Sequence, residues 1–144
     1  MKQSLFIKIG TDGAQLPADA TAWEAVLDTR SGLMWTKADV RVKHWKKADA
    51  AAAAMTAGTF SDWRLPTVEE LFLLADRDRA MSPAINPEYF PDCQSDWYWS
   101  STPYARSPGV CAWHVDFDDG YTDWGRRSFG FVRAVRASQT SLTR

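Results

Sequence analysis

A single α+β domain, two helices packed on a twisted, mainly antiparallel sheet with long loops, is the fold class that three features of the chain predict. First, residues 61–66 read Ser-Asp-Trp-Arg-Leu-Pro and run directly into Thr67, Val68, Glu69, Glu70 and Leu71, so a tight loop feeds a strongly marked helix start. Thr67 can accept a backbone N–H from the first turn, Glu70 can reach back three residues, and both carboxylates sit where the helix dipole favours negative charge. Second, residues 111–117 alternate in the manner of a strand and lead into Asp118, Asp119 and Gly120, which read as a short hairpin connection. Third, 144 residues with 45% hydrophobic content suffice for one core without disulfides or metals, and no repeat, low-complexity tract or linker divides them.

The elements follow in order. Residues 4–9 read as a first strand and 10–20, polar with glycine and proline, as a loop. Residues 25–28 and 33–36 form a hairpin around 29–32. The first helix is expected over residues 44–57, with Trp45, Ala48, Ala52 and Met55 on one side and Gly58 just past its end. Its alanines leave little bulk, so it can approach a sheet closely. The second helix covers residues 68–75, where Val68, Leu71, Phe72 and Ala75 recur at helical spacing. Prolines at 83, 87 and 91 forbid long regular structure over 77–95. The remaining sheet uses residues 97–101, 111–117, 121–124 and 131–136, and 138–144 read as a flexible tail.

Ordered motifs extend this reading over residues 25–137. Thr29, Gly32, Leu33, Met34 and Trp35 fit T-x-x-G-L-M-W, and Asp62 to Thr67 with Glu70 and Leu71 fit D-W-R-L-P-T-x-x-E-L. Tyr98 to Thr102 read Y-W-S-S-T. Ala112, Trp113, Val115, Phe117 and Gly120 fit A-W-x-V-x-F-x-x-G, and Val132, Arg133, Val135 and Arg136 close with V-R-x-V-R. This set resembles the collagen-like-protein C-terminal (Lcl C-terminal) domain family, a bacterial and phage domain of poorly known function. The resemblance implies the fold shared by formylglycine-generating enzymes and C-type lectins, and hence a C-type-lectin-like single domain. It also implies a ligand surface on the late strands and loops.

Composition bounds the function. A net charge of −1 gives no reason to expect nucleic-acid binding, while eight tryptophans in a chain this size exceed what one core hides and point to a groove or interface. The apolar stretch at residues 5–9 is too short for a signal peptide, and no segment is long enough for membrane insertion, so a cytoplasmic location is expected. Many relatives carry export signals, although phage-encoded members released by lysis need none. Cys93 and Cys111 form the only possible internal disulfide, and C-type-lectin-like relatives use bridges in that half. In a reducing cytoplasm two free thiols are expected.

Candidate chemistry concentrates late in the chain. Alternation puts Trp113, Val115 and Phe117 on a core face and His114, Asp116 and Asp118 on a face open to ligand. Asp116, Asp118, Asp119 and Asp123 read either as turn residues around Gly120 or as hard oxygen donors for calcium; no other cofactor or metal is indicated. Trp97, Tyr104, Tyr121 and Trp124, with Arg126 and Arg127, are the residues expected to contact a partner, through aromatic stacking and guanidinium forks. Trp99 and Trp113 are expected in the core, and Arg64, Arg133 and Arg136 are expected to tie loops together. The formylglycine-generating relatives rely on a copper-bound cysteine pair near the chain end; residues 125–136 contain no cysteine, so that chemistry is expected to be absent. Two classes remain: a non-enzymatic recognition domain for a protein or glycan, or an enzyme reusing the fold with His114, Asp116, Cys93 and Cys111.

Overall fold

The computed structural model, which describes residues 5–138, runs through β1 (Phe6–Ile9), β2 (Gln15–Leu16), β3 (Ala25–Asp28), β4 (Leu33–Thr36) and β5 (Val40–Val42). A 3-10 turn (Trp45–Lys47) leads into α1 (Ala48–Ala53), followed by α2 (Val68–Leu74). The late strands are β6 (Trp97–Pro103), β7 (Ala112–Asp116), β8 (Tyr121–Gly125), β9 (Gly130–Val132) and β10 (Val135–Ala137). The α+β class and the single small domain stand as expected, but the one sheet of the sequence reading is two. The orders are β10-β4-β3-β1-β2 and β5-β9-β6-β7-β8, antiparallel throughout except where β6 meets β9.

Two crossovers join the sheets, and both converge on Arg133. Residues 131–136 read as one strand, yet they divide into β9 in the second sheet and β10 in the first, with Arg133 and Ala134 between them. Residues 37–39 make the other crossing, from β4 to β5. Arg133 is 1% exposed, and a guanidinium at that depth requires partners on all sides. It donates to Thr36 O at 2.8 Å and to Lys37 O, and it pairs with Asp39 Oδ2 at 3.0 Å. Tyr98 donates its hydroxyl to the same Asp39 oxygen at 2.5 Å. Burial pushes the Asp39 carboxyl above its ordinary value while Arg133 pulls it down. Thr36 N–H donates to Ala134 O at 3.0 Å, and Ala134 N–H to Thr36 Oγ1 at 3.1 Å, so the crossings are bonded to each other directly.

The two sheets share two hydrophobic clusters, one for each helix. The first gathers Ala48 and Ala52 of α1 with Ile9, Ala25, Leu27 and Met34 of the first sheet and Trp99 and Val132 of the second. Leu71 and Leu74 of α2 join Val26, Trp35 and Val135, together with Tyr98 and Val115, in the second. Neighbouring residues of a strand point to opposite faces, so Val26 enters one cluster while Ala25 and Leu27 enter the other. That placement explains why β3 lacks the apolar–polar alternation of a half-exposed strand.

Helix boundaries show where local signals suffice. For α2 the expected capping box is present, with Glu70 N–H donating to Thr67 Oγ1 at 3.2 Å and Thr67 N–H to Glu70 Oε1 at 2.9 Å. Arg64 adds a fork to the same carboxylate at 2.9 and 2.8 Å. The first helix is shorter than the expected 44–57. His44 sits at φ 66°, outside helical backbone, and neither the 3-10 turn nor α1 has a side-chain N-cap. Gly58 does not cap α1. Its N–H is held by Glu24 Oε1 at 2.8 Å, in the turn where Ala57 and Phe60 bridge. Short strands β2 and β5 occupy segments that gave no strand signal. Ser138 is buried and donates its N–H to Gly32 O at 2.9 Å, contrary to the tail expectation; the rest of the expected tail, and Ser4 of the first strand, lie outside the described residues.

Replacing Arg133 with Ala leaves Asp39 and two carbonyls without their cation. Urea unfolding should show a loss of about 3–5 kcal/mol. Arg64→Ala removes a 46% exposed partner and should cost less than about 1 kcal/mol. Equal losses for the two would refute the crossover argument.

Candidate recognition face

Strands β6, β7 and β8 form an antiparallel ribbon whose register decides which late residues meet. Trp97 lies opposite Asp116, which lies opposite Tyr121; Trp99, His114 and Asp123 form the next row. Rows of this kind share a face. On the other face Tyr98, Val115 and Thr122 form one row, and Trp113 stands opposite Trp124. The partner-contact residues are thus divided. Trp97 and Tyr121 lie on one side of the ribbon, and Trp124 lies on the other with Tyr104 stacked on it.

His114 departs most from the sequence reading. It has no exposure at all, although its face was expected to be open. The cause is cover from the neighbouring strand: the Trp97 and Trp99 rings of β6, on the same face, stand edge-on to the imidazole at 4.2 and 6.2 Å between centroids. Among the described residues neither ring nitrogen has a hydrogen-bond partner. Burial, and then the nearby Arg127 charge, bring its pKa down to about 4, so the imidazole is neutral at pH 7.

Three of the four aspartate carboxylates are engaged locally, and Asp118 takes part through its backbone N–H. Asp116 Oδ1 accepts from Asp118 N–H at 2.9 Å, Asp119 Oδ1 from Tyr121 N–H at 3.1 Å, and Asp123 Oδ1 from Trp124 N–H at 2.8 Å. Among the described residues no three carboxylates, histidines or cysteines converge as a metal site. Gly120, at φ 89°, makes the turn that side chains disfavour, and a Cβ there would meet Arg77 Cγ at 2.7 Å. Cys93 is buried and Cys111 half-buried, both as free thiols, and burial raises the Cys93 pKa.

Two surfaces carry the contact residues. On one side Tyr104 and Trp124 stack at 4.0 Å between centroids with 2° between planes, and Trp113 meets Tyr104 edge-on at 5.7 Å. Trp113, expected in the core, is half-buried as part of this slab. Trp124 stays 45% exposed. Next to it, Thr122 borders a nearly apolar hollow with Val68, Phe72 and Leu73 of α2.

The other side carries charge. Arg127 Cζ sits over the Trp97 ring, 3.8 Å from its centroid, and Trp97 is half-buried beneath it. With Arg126 and Ser128 it borders a cavity of about 450 Å3 that His44, Trp45 and Lys46 complete. Pairing of Val42 with Gly130 brings these distant segments together. Arg30, Arg64, Arg133 and Arg136 each hold a carboxylate, whereas Lys46, Arg126 and Arg127 hold none among the described residues. Sequence reasoning missed the contribution of residues 41–47, where Arg41, Lys43, Lys46 and Lys47 form a basic run; residues 44–47 were read only as the start of the first helix.

Residues 24–136 match the Lcl C-terminal domain, which covers most of the chain, and the chain belongs to that family. No curated protein matches it. Among the described residues no helix is long and apolar enough to cross a membrane.

The buried imidazole makes stability depend on pH. A histidine whose folded pKa is depressed binds fewer protons folded than unfolded, so its contribution is complete above pH 6.5 and lost as pH falls toward about 4. The loss across that window should reach up to about 3 kcal/mol in denaturant titrations. His114→Leu should remove this slope, and the difference between the two proteins cancels what the carboxylates contribute. An unchanged slope would contradict the burial of a neutral ring.

Proposed function

We propose that this domain is a non-enzymatic recognition module, a C-type-lectin-like scaffold that binds a protein or glycan partner through its late strands and loops. The observation that carries this reading is the combination of an exposed aromatic slab, Tyr104 on Trp124, with a cation-lined cavity whose arginines pair with no carboxylate among the described residues. Flat aromatic faces stack on sugar rings or anchor protein side chains. Unpaired guanidinium groups favour a partner that brings carboxylate or another oxyanion. Within the family resemblance, we take the chain as phage- or prophage-encoded and its partner as a component of the host cytoplasm.

An enzyme reusing the same fold is the competing reading, and it has less to draw on. Its proposed acid–base group, His114, is fully buried and has no hydrogen-bond partner among the described residues. Cys93 is buried with a raised pKa, which disfavours the thiolate that nucleophilic attack needs.

Capture from host lysate and glycan-array binding, run on one preparation, should enrich a partner in at least one format. Trp124→Ala and Arg127→Ala should each reduce that capture by about tenfold or more while leaving the near-ultraviolet circular dichroism unchanged. Turnover of a small molecule, abolished by His114→Leu but not by Trp124→Ala, would favour the enzyme instead.

A further inference from the structure

Beyond the side chains of the recognition face, its last strand presents unused backbone. β8 is an edge of the second sheet. Phe117 N–H donates to Asp96 O at 2.9 Å and Ser100 Oγ to Trp113 O at 2.5 Å, so the odd-numbered residues of β7 turn their backbone groups toward β6. Even-numbered residues of β7 therefore bond to β8, through Tyr121, Asp123 and Gly125. Thr122 and Trp124 are left with N–H and C=O directed away from the sheet. The Trp124 N–H is held by the Asp123 carboxylate at 2.8 Å, and the Thr122 backbone groups have no partner among the described residues. All four residues Tyr121 to Trp124 are exposed, so neither face of the ribbon shields this edge.

We propose that β8 accepts an extended segment of a protein partner as a sixth, antiparallel strand of this sheet. The charges along the edge specify the segment. Its residues opposite Thr122 and Trp124 fall on the face with Phe72 and Leu73 and are apolar. Its residue opposite Asp123 falls on the other face and is Lys or Arg. Its amino-terminal end, beyond Gly125, carries carboxylates that reach Arg126 and Arg127 at the cation-lined cavity. A second copy of this chain fits poorly: pairing Thr122 with Trp124 across a two-fold axis puts Asp123 against its own duplicate, and like charges directly opposite destabilise a strand pair. Asp123 thereby guards the edge against self-association while offering a counter-charge to a basic segment. Backbone bonds supply affinity in this mode and alternate side chains supply specificity.

This proposal rests on the protein arm of the recognition reading, and its test is separable from it. Labelled peptides Glu-Glu-Thr-Val-Lys-Val-Thr and Lys-Lys-Thr-Val-Glu-Val-Thr, both capped, are titrated with the full chain and followed by fluorescence anisotropy. The first should bind and the second should bind at least about tenfold more weakly. Thr122→Pro removes an outward N–H that the fold does not use, and should weaken the first peptide by about tenfold with the circular dichroism unchanged. Asp123→Lys inverts one of the three charge contacts that separate the peptides, so it should narrow the preference for the first, and an unchanged preference would overturn the register if the proline variant does not fold. The proposal is overturned by equal binding of the two peptides, by no binding up to about 1 mM, or by a concentration-dependent dimer that Thr122→Pro abolishes. Glycan-array enrichment without peptide binding would sink strand addition and leave recognition standing; peptide binding without any captured host partner would support strand addition and count only against a host component as the partner.

Discussion

One buried cation holds the architecture together. The chain passes between its sheets twice, at residues 37–39 and 133–134, and the Arg133 side chain from the second passage binds the carbonyls and the carboxylate of the first. Those carbonyls cannot complete a ladder where the strands part company, and in a dry interior each would otherwise lack a partner. Arg133 satisfies them together, while Asp39 balances its charge and Tyr98 completes Asp39. Aromatic cover from Phe90, 4.8 Å away, excludes water from the group. The arrangement fixes the two sheets relative to each other, and each helix then fills one of the two clusters that result.

The consequence reaches the recognition face through Tyr98. This residue belongs to β6, bonds Asp39 at the crossover and packs on Phe117 at 4.9 Å, at the start of the turn that leads to β8. Stability is therefore concentrated near β6 and decreases outward along the ribbon, to a strand with partners on one side only. Binding elements are commonly drawn from such less constrained edges of a rigid scaffold. Trp97 and Arg127 follow the same logic, since their stacking holds a cation at the cavity without a carboxylate that would neutralise it.

Much of the fold was legible because its signals are local. The Thr67–Glu70 capping box, the hairpin of β3 and β4, and the Gly120 turn each depend on residues a few positions apart, and each stands where the sequence puts it. The division of residues 131–136 was not legible, since alternation runs smoothly across Arg133 and only partners about a hundred positions earlier interrupt the strand. Burial of His114 was hidden for a similar reason: alternation assigns its face, but cover comes from Trp97 and Trp99 on a neighbouring strand. At the candidate site, the aromatic residues could be named but not their division between two faces. The basic run at residues 41–47 was visible all along; its meaning depended on the pairing of β5 with β9.

Residue-resolved amide hydrogen exchange tests most directly whether a locked crossover presents an open-edged ribbon. The amides of Thr36, Ala134 and Val135 should exchange only with global unfolding, Asp123 should be protected by its bond to β7, and Thr122, its neighbour on the same edge strand, should exchange at close to the unprotected rate. Early exchange at Thr36 and Ala134, or protection of Thr122 equal to that of Asp123, would contradict the account.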